Sequence, residues 1–149
     1  KGYQIDSLAR YSLWENGIDF NHGTGHGVGS FLNVHEGPQS ISKTYSNVEL
    51  QEGMIVSNEP GFYKNGEYGI RIENLVLVKK SKIKNFLEFE TLTMFPYEKN
   101  LIDKEMLNTQ QKQWINNYHQ AVYKKISPHL KSEERVWLRE KSFKFNLSR

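Results

Sequence analysis

Ile5, Leu8, Ala9 and Leu13 recur at helical spacing and predict an amphipathic helix over 3–14, with Asp6 near its start. Gly17 interrupts that pattern. Residues 20–38 are rich in glycine, with strand-like pieces expected at 28–31 and 32–34, and the polar stretch 43–51 reads as a surface loop or edge. Residues 54–57 form a short apolar run leading into the turn Asn58-Glu59-Pro60-Gly61. Next, 62–64, the Asn65-Gly66 turn and 68–78 predict a hairpin, and the alternation over 86–94 predicts one more strand. The periodicity changes after Pro96. A helical face of Leu107, Trp114, Ile115, Tyr118, Val122 and Ile126 runs from Asp103 to the Pro128 stop. Ser132 is placed to cap a second helix with Glu133 and Glu134 in its first turn, and 143–149 shows no pattern. The expected class is α+β, a β-rich part over 1–95 followed by a helical extension over 96–149.

With 149 residues the chain can bury a real core. It opens on Lys1 rather than Met, and is expected to be a piece of a longer or processed polypeptide. Without cysteine, disulfides and thiolate metal sites are excluded, which suits a cytoplasmic setting. No signal peptide and no apolar run long enough to cross a bilayer is present. The net charge of +3 is small and scattered, and the lysines of 79–84 read as a solvated strand end. Neither a nucleic-acid nor a membrane partner is indicated.

The chemistry concentrates in His22-Gly23-Thr24-Gly25-His26-Gly27-Val28-Gly29 and Val34-His35-Glu36-Gly37-Pro38, which hold three of the five histidines. His26, set among glycines, has too small a neighbourhood for a core residue and reads as a metal ligand. His22 would share its face on a strand, either as a second ligand or as a hydrogen-bond donor to substrate. His35 is suited to steadying a carbonyl or a developing oxyanion, against the plainer reading of a turn histidine. His119 and His129 read as structural or surface residues. Glu59 and Glu73 sit in apolar, strand-like runs, where a carboxylate is costly unless paired or bound to metal. Arg71 shares the expected strand face of Glu73, so a simple ion pair is the competing explanation there. An imidazole with carboxylates from separate strands is a ligand set for a hydrolytic metal centre.

The segment 22–38, Asn58-Glu59-Pro60-Gly61-Phe62-Tyr63 and Gly69-Ile70-Arg71-Ile72-Glu73-Asn74, in this order and spacing, resemble the second half of an Xaa-Pro aminopeptidase of the pita-bread metallopeptidases, family M24. The likeness extends upstream to Ile5-Asp6-Ser7-Leu8-Ala9-Arg10 and downstream through 114–118. It implies a pita-bread fold with a curved, mainly antiparallel sheet, and His26, Glu59 and Glu73 as ligands of two divalent ions, usually Mn2+. Glu59 would also take the proton of the water the ions share, whose hydroxide attacks the peptide. His22 and His35 would match the family's substrate-binding and transition-state histidines, Arg71 would orient a ligand carboxylate, and Tyr63 would line the site. The implied substrate is a peptide with proline in second position, and the implied assembly a homodimer. Two aspartate ligands of the family come from an upstream strand pair that has no counterpart here: Asp6, Asp19 and Asp103 lie in other contexts. The resemblance therefore implies that the upstream half of the same polypeptide completes the site and that this piece alone is inactive. Prolidases and methionine aminopeptidases share the His/Glu/Glu skeleton, and some pita-bread domains only bind peptides or proteins.

Overall fold

The computed structural model describes residues 1–31 and 33–147. They form two compact units that divide between Thr93 and Met94.

The first unit opens with helix α1 (Gly2–Trp14). Its buried stripe is Gly2, Asp6 and Arg10, while Leu8 is exposed, so the buried face is set by an ion pair and not by the apolar periodicity. Short strands β1 (Gly25–His26) and β2 (Ser40–Ile41) pair antiparallel, Gly25 opposite Ile41. Between them the expected strand over 28–31 is absent: Gly29 N–H instead donates to the Asn33 carbonyl and Glu36 N–H to the Gly27 carbonyl, a tight glycine-based loop. The strand expected over 32–34 includes Leu32, which lies outside the described residues.

Strand β3 (Ile55–Asn58) pairs antiparallel with β6 (Asn74–Lys80), and β6 in turn with β7 (Leu87–Thr91). Strands β4 (Gly61–Lys64) and β5 (Tyr68–Arg71) form a separate hairpin. Its tip is Asn65-Gly66-Glu67, with Gly66 at φ +74°, a conformation that favours glycine. The expected single strand over 68–78 is thus two strands, broken at Ile72 and Glu73. The break lets one run of sequence serve two sheets and turns Glu73 out of the ladder. An isolated bridge, Gly27 to Val56, ties the glycine segment to β3. Ile41, Val56 and Val76 form the core, with Ile5 and Leu50 packed on it.

In the second unit, two single-turn 3-10 segments (Lys99–Leu101 and Lys104–Met106) precede α2 (Thr109–Ile126). The helix starts later than Leu107 suggests, because Asn108 and Gln111 close a reciprocal capping box at 2.9 Å in each direction. Helix α3 (Ser132–Lys141) has Lys131 as its N-cap, with Ser132 already helical. Its opening turn is secured by Glu134, which accepts the Lys131 N–H at 2.9 Å. Tyr118 and Val122 of α2 and Leu138 of α3 are the core of this unit, flanked by Met94, Tyr97, Tyr123, Ile126 and Leu130. His119 is fully buried and satisfied: Nδ1–H donates to the Phe143 carbonyl and Nε2 accepts from Tyr97 N–H.

Candidate metal centre

The end of β1, the end of β3 and the break between β5 and β6 bring three side chains together. Ligand atoms of His26, Glu59 and Glu73 all lie within 4.8 Å of one another, the one such group among the described residues. Nδ1 of His26 lies 2.9 Å from the Gly27 carbonyl, which can only accept, so Nδ1 carries the hydrogen. In the neutral ring the Nε2 lone pair then faces Oε1 of Glu59 at 3.2 Å. Two acceptors held at that distance, with a second carboxylate close by, fit a divalent cation that takes nitrogen and oxygen donors. Three protein ligands leave the shell of such an ion open.

Ser57, fully buried on β3, joins two of the candidate ligands. Its hydroxyl donates to Glu59 Oε1 at 3.0 Å and accepts the His26 N–H at 2.9 Å. Ser57 carries no motif of its own in the sequence; its one signal is that a polar residue two positions before Glu59, at the end of an apolar strand, shares its face.

Arg71 reaches both carboxylates through Nη1, 3.3 Å from Glu59 Oε2 and 4.0 Å from Glu73 Oε2. The simple Arg71–Glu73 pair weighed from the sequence is therefore the longer of the two contacts. Arg71 Nε–H donates to the Tyr63 hydroxyl at 3.0 Å, and this bond, then the charges of Glu59 and Glu73, holds the guanidinium above its usual value. The Tyr63 hydroxyl lies 2.7 Å from Nε2 of His22, whose Nδ1–H donates to the Gly23 carbonyl at 2.7 Å. In the neutral ring the bonds run in one direction, from Arg71 through Tyr63 to His22. His22 is not on a strand, so the even spacing to His26 does not apply; its ring turns to Tyr63, and the metal cluster does not include it. His35 is exposed, with its ring centroid 4.2 Å from that of His26.

The profile of metallopeptidase family M24 matches residues 1–80, and that of the C-terminal region of the same peptidases matches 85–144. A protein of Coprinopsis cinerea named Probable Xaa-Pro aminopeptidase P is 52% identical over 95% of this chain and 24% of its own length. Aminopeptidase P2 of Arabidopsis thaliana is 50% identical over 92% of this chain and 20% of its own. The crystal structure of an X-prolyl aminopeptidase from Caenorhabditis elegans, described as a cytosolic enzyme with a di-nuclear active site, superposes with a TM-score of 0.91. It is 41% identical and covers 97% of this chain and 25% of that one. The chain thus spans about a quarter of the length of the proteins it matches. The fold is the C-terminal part of a pita-bread domain, α+β with antiparallel sheets, and the chain belongs to metallopeptidase family M24.

Proposed function

We propose that this chain supplies the C-terminal portion of an Xaa-Pro aminopeptidase, which removes the first residue from peptides with proline in second position. The convergence of His26, Glu59 and Glu73 carries the reading, together with the named relatives. In this proposal His26, Glu59 and Glu73 would help hold two divalent ions, Mn2+ by the family resemblance, which when bound would lower the pKa of the attacking water and polarise the scissile carbonyl. The remaining anionic ligands come from the preceding part of the polypeptide.

The chain's own residues then divide the work. His26 offers Nε2, its tautomer fixed by the Gly27 carbonyl. Glu59 Oε2 is steadied by Arg71 and Oε1 by Ser57, so the carboxylate is oriented to accept a proton from the attacking water. His22 and His35 flank this centre. His35, exposed beside His26, is free to donate to a developing oxyanion. His22, held in one tautomer by Gly23 and Tyr63, orients the peptide. A proline imide lacks the N–H through which most peptides are gripped, so recognition must rest on ring shape and carbonyl position.

The same reading includes a cytoplasmic homodimer. Trp114 and Trp137 of the second unit are about half exposed, at 50% and 46%, and aromatic residues are enriched in interface cores. Sizing the full-length protein with and without residues 103–149 tests this, and an unchanged dimer after truncation removes the helical part from the interface. The catalytic reading is tested on the full-length protein with Mn2+. Xaa-Pro-Xaa tripeptides should be cleaved faster than Xaa-Pro dipeptides or Met-Ala-Ser. Fastest cleavage of the dipeptides would make it a prolidase.

A further inference from the structure

Arg10 touches no candidate ligand, yet its side chain is fully buried and every N–H of its guanidinium is used. Nε and Nη2 donate to Asp6 at 2.6 and 3.3 Å. Nη1 donates to Asp19 and to the Phe20 carbonyl, both at 2.7 Å, and Nη2 to the His22 carbonyl at 2.6 Å. The Phe20 ring lies 3.8 Å from the guanidinium and 4.8 Å, centroid to centroid, from the His22 ring. On the other side, Asp6 accepts the Thr24 hydroxyl at 2.7 Å, and the Thr24 carbonyl accepts the Glu59 N–H at 2.7 Å. Burial pushes the Asp6 carboxyl up, but the bonds from Arg10 and Thr24 outweigh it and hold it below its usual value. Asp19 is pushed well down, first by its bond to Arg10.

We propose that Arg10 is a positioning residue for the catalytic site, fixing the His22 ring through the His22 carbonyl and Phe20, and the start of the Glu59 turn through Asp6 and Thr24. The inference rests on the role assigned to His22 above. A buried ion pair adds little stability over well-packed apolar side chains, so directional hold is what this network supplies. Lysine at this position would keep the charge but not the planar fork that reaches two carboxylates and two carbonyls at once.

The test uses the full-length protein loaded with Mn2+. Arg10→Lys should lower kcat for an Xaa-Pro tripeptide by about tenfold or more, as small misplacements of reacting groups do, with metal stoichiometry unchanged. Arg10→Ala should regain part of the rate on addition of ethylguanidinium. With selective 15N labelling of histidine, the His22 signals of Arg10→Lys should leave the fixed Nδ1–H pattern for an average of the two tautomers. A folded Arg10→Lys protein with unchanged kcat and unchanged His22 signals overturns the proposal. Should Arg10→Lys fail to fold, Asp19→Asn carries the test. Asp19 is partly exposed, and its loss should move both readouts in the same direction by less; no movement in either overturns the proposal. Failure of the wild-type protein to cleave Xaa-Pro peptides would defeat the functional reading instead, and the His22 signals would still decide whether Arg10 positions that ring.

Discussion

Nε2 of His26 and Oε1 of Glu59 stand 3.2 Å apart, while Nδ1 of the same ring is committed to the Gly27 carbonyl. In the neutral ring both facing atoms are acceptors, and their approach is stabilised by positive charge placed against them. A divalent ion supplies that charge by accepting a lone pair from each group at once, and Glu73 is near enough to share it.

Replacing His26 by alanine in the full-length protein should therefore weaken Mn2+ binding by more than the roughly 10–100-fold typical of losing an outer partner of a ligand. Most peptidase activity should go with it. Calorimetric metal titration and a rate measurement at limiting Mn2+ check this, and wild-type values in both would refute the ligand assignment.

Gly25 bears on the same geometry from the backbone side. A Cβ built there falls on the carbonyl oxygen of Ser57, which belongs to a strand and cannot move aside cheaply. Gly25→Ala should destabilise the protein by about 1–3 kcal/mol or more, as over-packing does, and displace His26 from Glu59. Thermal unfolding and metal affinity should fall together; a stable variant with intact affinity would mean that β1 has slack that the geometry does not suggest.

The candidate ligand set was legible because histidine and glutamate stand out in glycine-rich and apolar runs, and each needs a reason to be there. Positions that depend on chain return were not. The polar–apolar alternation runs through Ile72 and Glu73 and fails only at Asn74, where two polar residues adjoin before the apolar run 75–78, and without a glycine or proline there the sequence does not mark the break between β5 and β6. The spacing of Asp6 and Arg10 is visible as one helical turn. Their importance comes from carbonyls of Phe20 and His22, which only the folded loop delivers. At α2 the apolar face extends back to Leu107, and capping by Asn108 overrides it.

His119 gives the second unit a dependence on pH. Burial holds its imidazole below the ordinary value of 6.5, with the Phe143 carbonyl opposing weakly. The unfolded chain then takes up a proton as pH falls through about 6.5 while the folded one does not, so unfolding gains protons and stability drops. The contribution is complete above that pH and declines below it, towards the folded-state value. Denaturant titrations from pH 7.5 to 5 should show His119→Gln losing less stability than the wild type on acidification. Parallel profiles would place the sensitivity elsewhere.

Ser57 offers the sharpest separation of metal holding from peptide recognition, because its hydroxyl touches two candidate ligands and is fully buried. Ser57→Ala leaves the His26 N–H without its partner, a loss of about 1–3 kcal/mol in stability for a buried donor. It also frees Glu59 Oε1 to rotate, since Arg71 holds only Oε2. Metal affinity should fall by about 10–100-fold, as for other outer partners of metal ligands. At saturating Mn2+, KM for an Xaa-Pro tripeptide should stay near the wild-type value while kcat falls, because the Glu59 carboxylate is no longer aimed. Raised KM with unchanged metal affinity would instead put Ser57 on the peptide side of the site.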